Sequence, residues 1–189
     1  ALGGLVQLYN LPTSFGDDPI GVTVTLDDSA ITGATKFTVS ITDPTLTGDI
    51  RGVFFDIFNP PTGFDPLTDI THLMGGPITG ICTNTDTCGS GNNLNPASGF
   101  NIALAIGDQG IGSGDDFQMT MFQVVGTSLA NFTDQRVGVR VQSVGEPGGA
   151  RGGNSRPQTP GRPRSACAAS PGNGRAAAGC RPRPDSCAP

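Results

Sequence analysis

The sequence is poor in the residues that build helices. It contains no tryptophan, one lysine and one glutamate among 189 residues, with a single tyrosine and a single histidine. Glycine, threonine, valine, isoleucine and aspartate are abundant instead. This composition is typical of short strands joined by turns, because lysine and glutamate are among the better helix formers and both are scarce. We therefore expect an all-β protein.

Positive charge is scarce in the first 149 residues. Four basic residues face fifteen acidic ones there, a net charge of −11, whereas residues 150–189 carry seven arginines and one aspartate, a net charge of +6. Binding to nucleic acid needs a basic footprint, so the acidic body argues against it and permits calcium or cationic partners.

The sequence also lacks a long apolar run. A helix that crosses a membrane needs such a run, so we expect no membrane span in this chain. The chain begins at Ala1 without the basic and apolar segments of a signal peptide. We therefore expect a processed form or a fragment.

The densest aromatic and β-branched run is residues 49–58, which predicts a buried central strand. Only its ends, with Arg51 and Asp56, are expected to face water. Residues 21–26 and 36–41 alternate apolar and polar side chains, so they should pair as an antiparallel hairpin with a loop near Gly33.

About eight such strands follow one another, joined by glycine-rich turns. Residues 60–76 are interpreted as a long loop, and residues 83–98 as a polar surface stretch. No amphipathic crossover helix separates the strands, so parallel units are excluded. The pattern predicts an antiparallel two-sheet β-sandwich of jelly-roll-like type.

The composition changes at residue 148. Residues 1–147 should form the sandwich domain, whereas residues 148–189 are rich in arginine, proline, alanine and glycine and lack large apolar side chains. Such a segment cannot offset its ordering entropy by burial, so a disordered tail is expected. Two origins remain open for it: a natural basic tail attracted to the acidic body or to anionic polysaccharide, or a gene end read out of frame.

Two cysteines lie close together in the body. Cys82 and Cys88 bracket five polar residues, and we expect a local disulfide that clamps a surface loop. Zinc is the alternative, but its ligand spacing is shorter and two more ligands would be needed. The three remaining cysteines lie in the expected tail and do not extend a disulfide framework.

A glycine-rich segment at residues 107–117 contains Asp108, Asp115 and Asp116. An ordinary turn between strands is the favoured interpretation, and a calcium site with these three aspartates as ligands is the alternative. A second acidic group has the same two interpretations; it consists of Asp17, Asp18, Asp27 and Asp28.

The sequence offers little for catalysis. His72 is the only histidine, and no nucleophile elbow accompanies it, so a Ser-His-Asp arrangement is not supported. Two aspartates could serve glycoside hydrolysis, but their separation depends on the fold. We assign no catalytic residues and expect no enzyme.

Four segments together resemble a group of bacterial, notably cyanobacterial, secreted proteins that typically end in a PEP-CTERM sorting signal. These segments, in matching order, are DIRGVFFD at 49–56, FNIALAIG at 100–107, GIGSGDDFQ at 110–118 and VGVRVQSVG at 137–145. The resemblance covers roughly residues 21–149 and implies an exported β-rich domain associated with the cell envelope or extracellular polysaccharide. The apolar helix and basic end of the sorting signal do not follow Glu146-Pro147 here.

These observations lead to a functional expectation. We expect a non-enzymatic exported protein of the cell surface or extracellular matrix, with calcium as an optional stabiliser. The alternatives are a calcium-assisted carbohydrate-binding module and an aspartate-dependent polysaccharide hydrolase. A single tyrosine and no tryptophan leave few aromatic rings to stack on sugars.

Overall fold

The computed structural model describes most of the first 159 residues. The described ranges are residues 6–11, 13–16, 20–89, 92–94, 99–107, 116–157 and 159. They form two antiparallel sheets packed face to face. The predicted antiparallel β-sandwich is confirmed.

The described residues contain eleven strands rather than about eight. They are β1 Val6–Leu11, β2 Thr13–Gly16, β3 Val22–Ile31, β4 Ala34–Ile41, β5 Thr47–Phe55, β6 Ile70–Gly75, β7 Ile78–Thr85, β8 Phe100–Ile106, β9 Met119–Val125, β10 Val137–Gly145 and β11 Gly153–Pro157. One sheet has the order β1-β3-β4-β9-β6, and the other has the order β2-β11-β10-β5-β8-β7. Most connections pass from one sheet to the other, so both sheets draw strands from the whole described chain.

The predicted hairpin is β3 and β4. Val24 faces Val39 and Leu26 faces Phe37 across the pair, and these four side chains are fully buried. A two-residue turn joins the strands, and Gly33 adopts the positive φ of 76° that glycine tolerates best. The alternation in the sequence therefore identified both strands and their antiparallel pairing.

Strand β5 occupies a central position between β10 and β8, as predicted, and all nine of its residues are buried. Arg51 is an extra residue in this strand, because Arg140 pairs with Gly52 while Val141 pairs with Ile50. This β-bulge lets Ile50 share the inner core with Val53 despite the odd spacing between them.

The exposure of two polar side chains in and next to β5 differs from what the sequence predicted. Arg51 and Asp56 were expected to face water, but they are only 3 % and 8 % exposed. Both sides of β5 are covered, so polar side chains on its outer side are buried together with their partners.

The inner core lies between the sheets and is centred on four phenylalanines. The Phe37 ring stacks on Phe122 with a centroid separation of 4.8 Å, and it meets Phe55 at 4.9 Å and Phe132 edge-on at 5.0 Å. Valine, leucine and isoleucine from both sheets surround this cluster. Each ring is no more than 1 % exposed, so the cluster contributes most of its apolar area to the core.

The predicted loop at residues 60–76 contains two regular elements. A single helical turn, α1 Pro66–Asp69, begins after Asp65, whose Oδ1 accepts a hydrogen bond from the Leu67 amide at 3.0 Å. Strand β6 follows directly and forms the edge of the five-stranded sheet. Its strand pairing was hidden by the surrounding proline and glycine.

The structure also differs from the expected boundary at residue 147. Strand β11 lies within the segment assigned to the tail, and it pairs with β10 on one side and β2 on the other. Ser155 and Pro157 are buried. Backbone hydrogen bonding to the edge of β10 orders this strand without any large apolar side chain, which composition could not show. Apart from Thr159, residues 158–189 lie outside the described residues.

Candidate functional site

Cys82 and Cys88 form a disulfide, as predicted. Their Cα atoms are 5.6 Å apart, within the usual range for a disulfide. Cys82 lies on β7, and Cys88 follows three residues after that strand ends. The bond therefore ties the segment after β7 to the larger sheet.

The disulfide helps to cover the outer face of the six-stranded sheet, which carries a second, smaller core. This core consists of Phe54, Cys88, Leu94, Phe100, Ala103 and Ala105, with Cys82 packed against it. Leu94 is fully buried although residues 83–98 were predicted to be a polar surface stretch. Its amide donates to the Asp86 carbonyl at 3.0 Å, which holds the segment over the sheet.

A largely buried ion pair lies at one end of this outer face. The Nε of Arg136 donates to Oδ2 of Asp56 at 2.5 Å, and its Nη2 donates to the Gly99 carbonyl at 2.7 Å. The guanidinium carbon lies 4.5 Å from the centroid of the Phe100 ring. Asp56 also accepts from the Asn101 amide at 2.9 Å. Arg136 thus has partners for its charge on several sides.

A second buried pair joins Asp49 to Arg51 at 3.4 Å. Burial raises the pKa of the Asp49 carboxyl, and the nearby charge of Asp116 adds to this effect, while the Phe117 amide and Arg51 oppose it. Asp49 is 4 % exposed, so it is poorly placed to touch a polymeric substrate.

The structure describes only one of the three predicted calcium ligands, Asp116. Asp108 and Asp115 lie outside the described residues, and the carboxylate of Asp116 forms an ion pair with Arg151. Within the described ranges, no group of three His, Cys, Asp or Glu side chains is arranged to hold a metal. The calcium site at Asp108, Asp115 and Asp116 stays a prediction.

Of the second acidic group, only Asp27 and Asp28 belong to the described residues. Asp17 and Asp18 lie outside the described residues. Asp27 accepts hydrogen bonds from the Ser29 hydroxyl and from the amides of Ser29 and Ala30, which lower the pKa of its carboxyl. Asp28 accepts from the Leu129 amide at 3.1 Å. Both described aspartates therefore support local turns and contacts.

His72 lies on the edge strand β6, opposite Phe122. It is half-buried, and its Nε2 has no hydrogen-bond partner among the residues that the structure describes. This position in a sheet edge adds no support for a catalytic arrangement.

The outer face carries a feature that the sequence did not reveal, which we call the arginine cluster: Arg140, Arg151 and Arg156 with Asn154. Arg140 is 5 % exposed, and its Nη2 donates to the Asn154 carboxamide oxygen at 2.8 Å. Within the described part of the chain, its Nε and Nη1 have no hydrogen-bond partner. The same is true of the Nε of Arg156 and the Nη2 of Arg151.

The electrostatics of the cluster are unfavourable for Arg140. Burial lowers the pKa of its guanidinium to about 10, and the positive charge of Arg156 lowers it further. A cavity of about 150 Å³ lies beside Arg151 and Asn154; its lining consists of Gln142, Ser143, Arg151, Gly152 and Asn154. The cluster supplies positive charge and hydrogen-bond donors, so its chemistry suits the binding of an acceptor.

Sequence reasoning missed the cluster because it joins two segments that were assigned to different regions. Arg140 belongs to the predicted domain, whereas Arg151 and Arg156 fall after its expected end at residue 147. The available signal was the change in the sign of charge between the acidic body and the arginine-rich tail.

Comparisons with known proteins leave the fold and the site as the main guides to function. The sequence matches no protein-family model, and searches of curated proteins and of solved structures return no match. Among the described residues, the helices are all too short or too polar to cross a membrane. The fold and the outer face thus define a disulfide-clamped antiparallel β-sandwich.

Proposed function

We propose that this chain is a non-enzymatic, exported β-sandwich protein of the cell surface or extracellular matrix. The observation that carries the proposal is the disulfide between Cys82 and Cys88, which closes over a buried second core. Disulfides of this structural kind persist in oxidising compartments and are rare in the cytosol.

We further propose that the protein associates with extracellular polysaccharide. The arginine cluster supports this part of the proposal, because it offers donors and charge on an otherwise acidic protein. Recognition by aromatic stacking is less well supported, since the only tyrosine, Tyr9, donates its hydroxyl to the Phe132 carbonyl at 3.1 Å. Polar contacts are therefore the main means of binding.

The export proposal is tested by mapping the disulfide in protein isolated from its native cell envelope or secreted fraction. Asp86 lies between the two cysteines, so a protease that cleaves before aspartate separates them into two peptides. We expect these peptides to remain linked until a reductant is added. The Cys82→Ser variant is the matched control, and free peptides from the native protein before reduction would contradict the proposal.

Calcium remains an optional part of this function. If Asp108, Asp115 and Asp116 bind the ion, calcium raises the melting temperature because it binds the folded state selectively. The measurement compares millimolar calcium with excess chelator. An unchanged melting temperature would remove calcium from the proposal, and loss of the shift in Asp108→Asn would support it.

The two rival functions are separated by simple assays. A calcium-assisted carbohydrate-binding module would bind neutral glycans on an array only when calcium is present. A hydrolase would release reducing sugar, and this release would disappear on a single Asp-to-Asn change. The proposed function predicts neither result.

A further inference from the structure

We propose that the arginine cluster binds an oxyanion of an acidic polysaccharide, either a uronate carboxylate or a sulfate ester. The proposal rests on the proposed association with extracellular polysaccharide and names the chemical group that is recognised. It assigns the recognition to Arg140, Arg151 and Arg156 on the outer face of β10, β11 and their connection.

The first argument is the burial of an unpaired charge. Arg140 is 5 % exposed, yet two of its three guanidinium nitrogens find no hydrogen-bond partner among the described residues. A buried cation is ordinarily paired, since its removal from water is costly and a second cation beside it adds to that cost. Arg156 is such a second cation. An anion bound at this place would resolve both problems.

The second argument is that the nearby carboxylates of the described chain are already occupied. Asp49 pairs with Arg51, and Asp116 pairs with Arg151. Asn154 accepts one hydrogen bond from Arg140 but carries no charge. The unpartnered donors of the cluster therefore lack a carboxylate partner among the described residues, and an anion that enters here would supply one.

The third argument is size and shape. A cavity of about 150 Å³ lies at the edge of the cluster, where Arg151 and Asn154 form part of its lining and Arg140 donates to Asn154. Pockets for whole drug-sized ligands are larger, about 300–1,000 Å³. A carboxylate or sulfate group projecting from a polymer suits the smaller space, and a planar guanidinium fork matches the geometry of both groups.

The experiment measures binding of trigalacturonate, a sulfated oligosaccharide and fully methyl-esterified trigalacturonate at constant ionic strength. We expect at least one charged oligosaccharide to bind in calorimetry and to raise the melting temperature, whereas the neutral ester does neither. The two charged probes distinguish a carboxylate from a sulfate source. Binding of neither charged probe, or equal binding of the ester, would overturn the proposal.

The decisive variant is Arg140→Met, which keeps much of the side-chain volume and removes the charge. We expect the dissociation constant to rise about tenfold or more, because charge-assisted hydrogen bonds are lost. Without ligand, we expect the melting temperature to stay the same or to rise, since an unpaired buried charge disappears. A lower melting temperature with unchanged affinity would show a purely structural arginine and contradict the site.

The matched control is Arg136→Met, the same substitution at an arginine that pairs with Asp56 and Gly99. This variant should lower the melting temperature and leave the affinity unchanged. Arg156→Gln provides a second test on a partly exposed strand and should also weaken binding. If Arg140→Met fails to fold, unaltered affinity in Arg156→Gln is sufficient to overturn the proposal.

These outcomes separate the site from the wider function. Oligosaccharide binding that survives both Arg140→Met and Arg156→Gln would overturn the site while leaving the association with polysaccharide intact. If Cys82 and Cys88 are not linked in the native protein, the export proposal fails, but the measured anion site is unaffected.

Discussion

The two sides of β5 are buried by different means. Its inner side packs against apolar side chains of the opposite sheet, where Phe37, Phe55 and Phe122 are fully buried. Its outer side is covered by a disulfide-clamped segment, by a small apolar core and by paired charges. One strand therefore belongs to both a dry core and a polar, cross-linked surface layer.

The inner side of β5 contributes mainly to stability, whereas the proposed ligand site belongs to the outer side. The inner core consists mainly of apolar side chains, so close packing is its main source of stability. The outer layer depends on every charge finding a partner, and the arginine cluster is where the described partners are incomplete. Substitutions on the two sides should therefore differ in both size and character.

The largest effect is expected in the inner core. Phe37→Ala removes a ring that contacts three other phenylalanines within 5.0 Å, and it should lower the free energy of unfolding by about 3–5 kcal/mol. Denaturant unfolding followed by circular dichroism gives the value. Phe58→Ala is the control, since Phe58 is 56 % exposed and should change stability by less than about 0.5 kcal/mol.

The next effect is expected at the outer ion pair. Asp56→Ala leaves the guanidinium of Arg136 buried without its carboxylate and should cost about 3 kcal/mol in the same unfolding assay.

The double variant Asp56→Leu with Arg136→Met tests the reason for this loss. It removes both charges, so it should recover much of the stability that Asp56→Ala loses. A double variant as unstable as Asp56→Ala would mean that packing, rather than the unpaired charge, causes the loss.

Removal of the disulfide between Cys82 and Cys88 should have a smaller effect on stability. Cys82→Ser opens a loop with a sequence separation of six residues, and the loop-entropy model gives a loss of about 2 kcal/mol. Reductant should destabilise the unchanged protein by a similar amount and leave Cys82→Ser unaffected. Equal sensitivity of both proteins to reductant would show that this bond does not stabilise the fold.

The smallest effect concerns Tyr9, which bridges β1 to the end of the inner core. Burial raises the pKa of its hydroxyl from 10.0 to about 12, and the charge of Asp134 contributes to the shift. Because the folded pKa is the higher one, this hydroxyl favours folding below pH 10 and loses that contribution as pH rises towards 12.

The test uses the fact that Tyr9 is the only tyrosine and tryptophan is absent. Ultraviolet absorbance should show tyrosinate forming near pH 12 in the folded protein and near pH 10 in denaturant. Tyr9→Phe should cost about 1 kcal/mol at neutral pH through the lost hydrogen bond to Phe132. Tyrosinate formation near pH 10 in the folded protein would contradict this account.

The inner core was easier to predict from the sequence than the outer layer. Period-two alternation identified β3 and β4 because one side of each strand faces apolar side chains and the other faces solvent. The expected exposure of Arg51 and Asp56 was wrong, because segments distant in the sequence cover both sides of β5.

The local disulfide was also predictable, because the two cysteines are close in sequence. The arginine cluster was not, since β11 is ordered by backbone pairing with β10 and β2 and shows no apolar pattern. Arg140 and Arg156 lie on either side of the change in composition and come together only through the pairing of β10 with β11. No pattern of neighbouring residues in the sequence indicates such a contact.

The position of β11 has a consequence for anyone who shortens this chain. A version that stops at the change in composition near residue 147 would lack β11 and leave the backbone groups of β10 without their neighbour on that side. An exposed strand edge of this kind is a template for pairing with another copy. Such a shortened chain should therefore self-associate and precipitate, whereas a version that extends through Thr159 should remain dispersed.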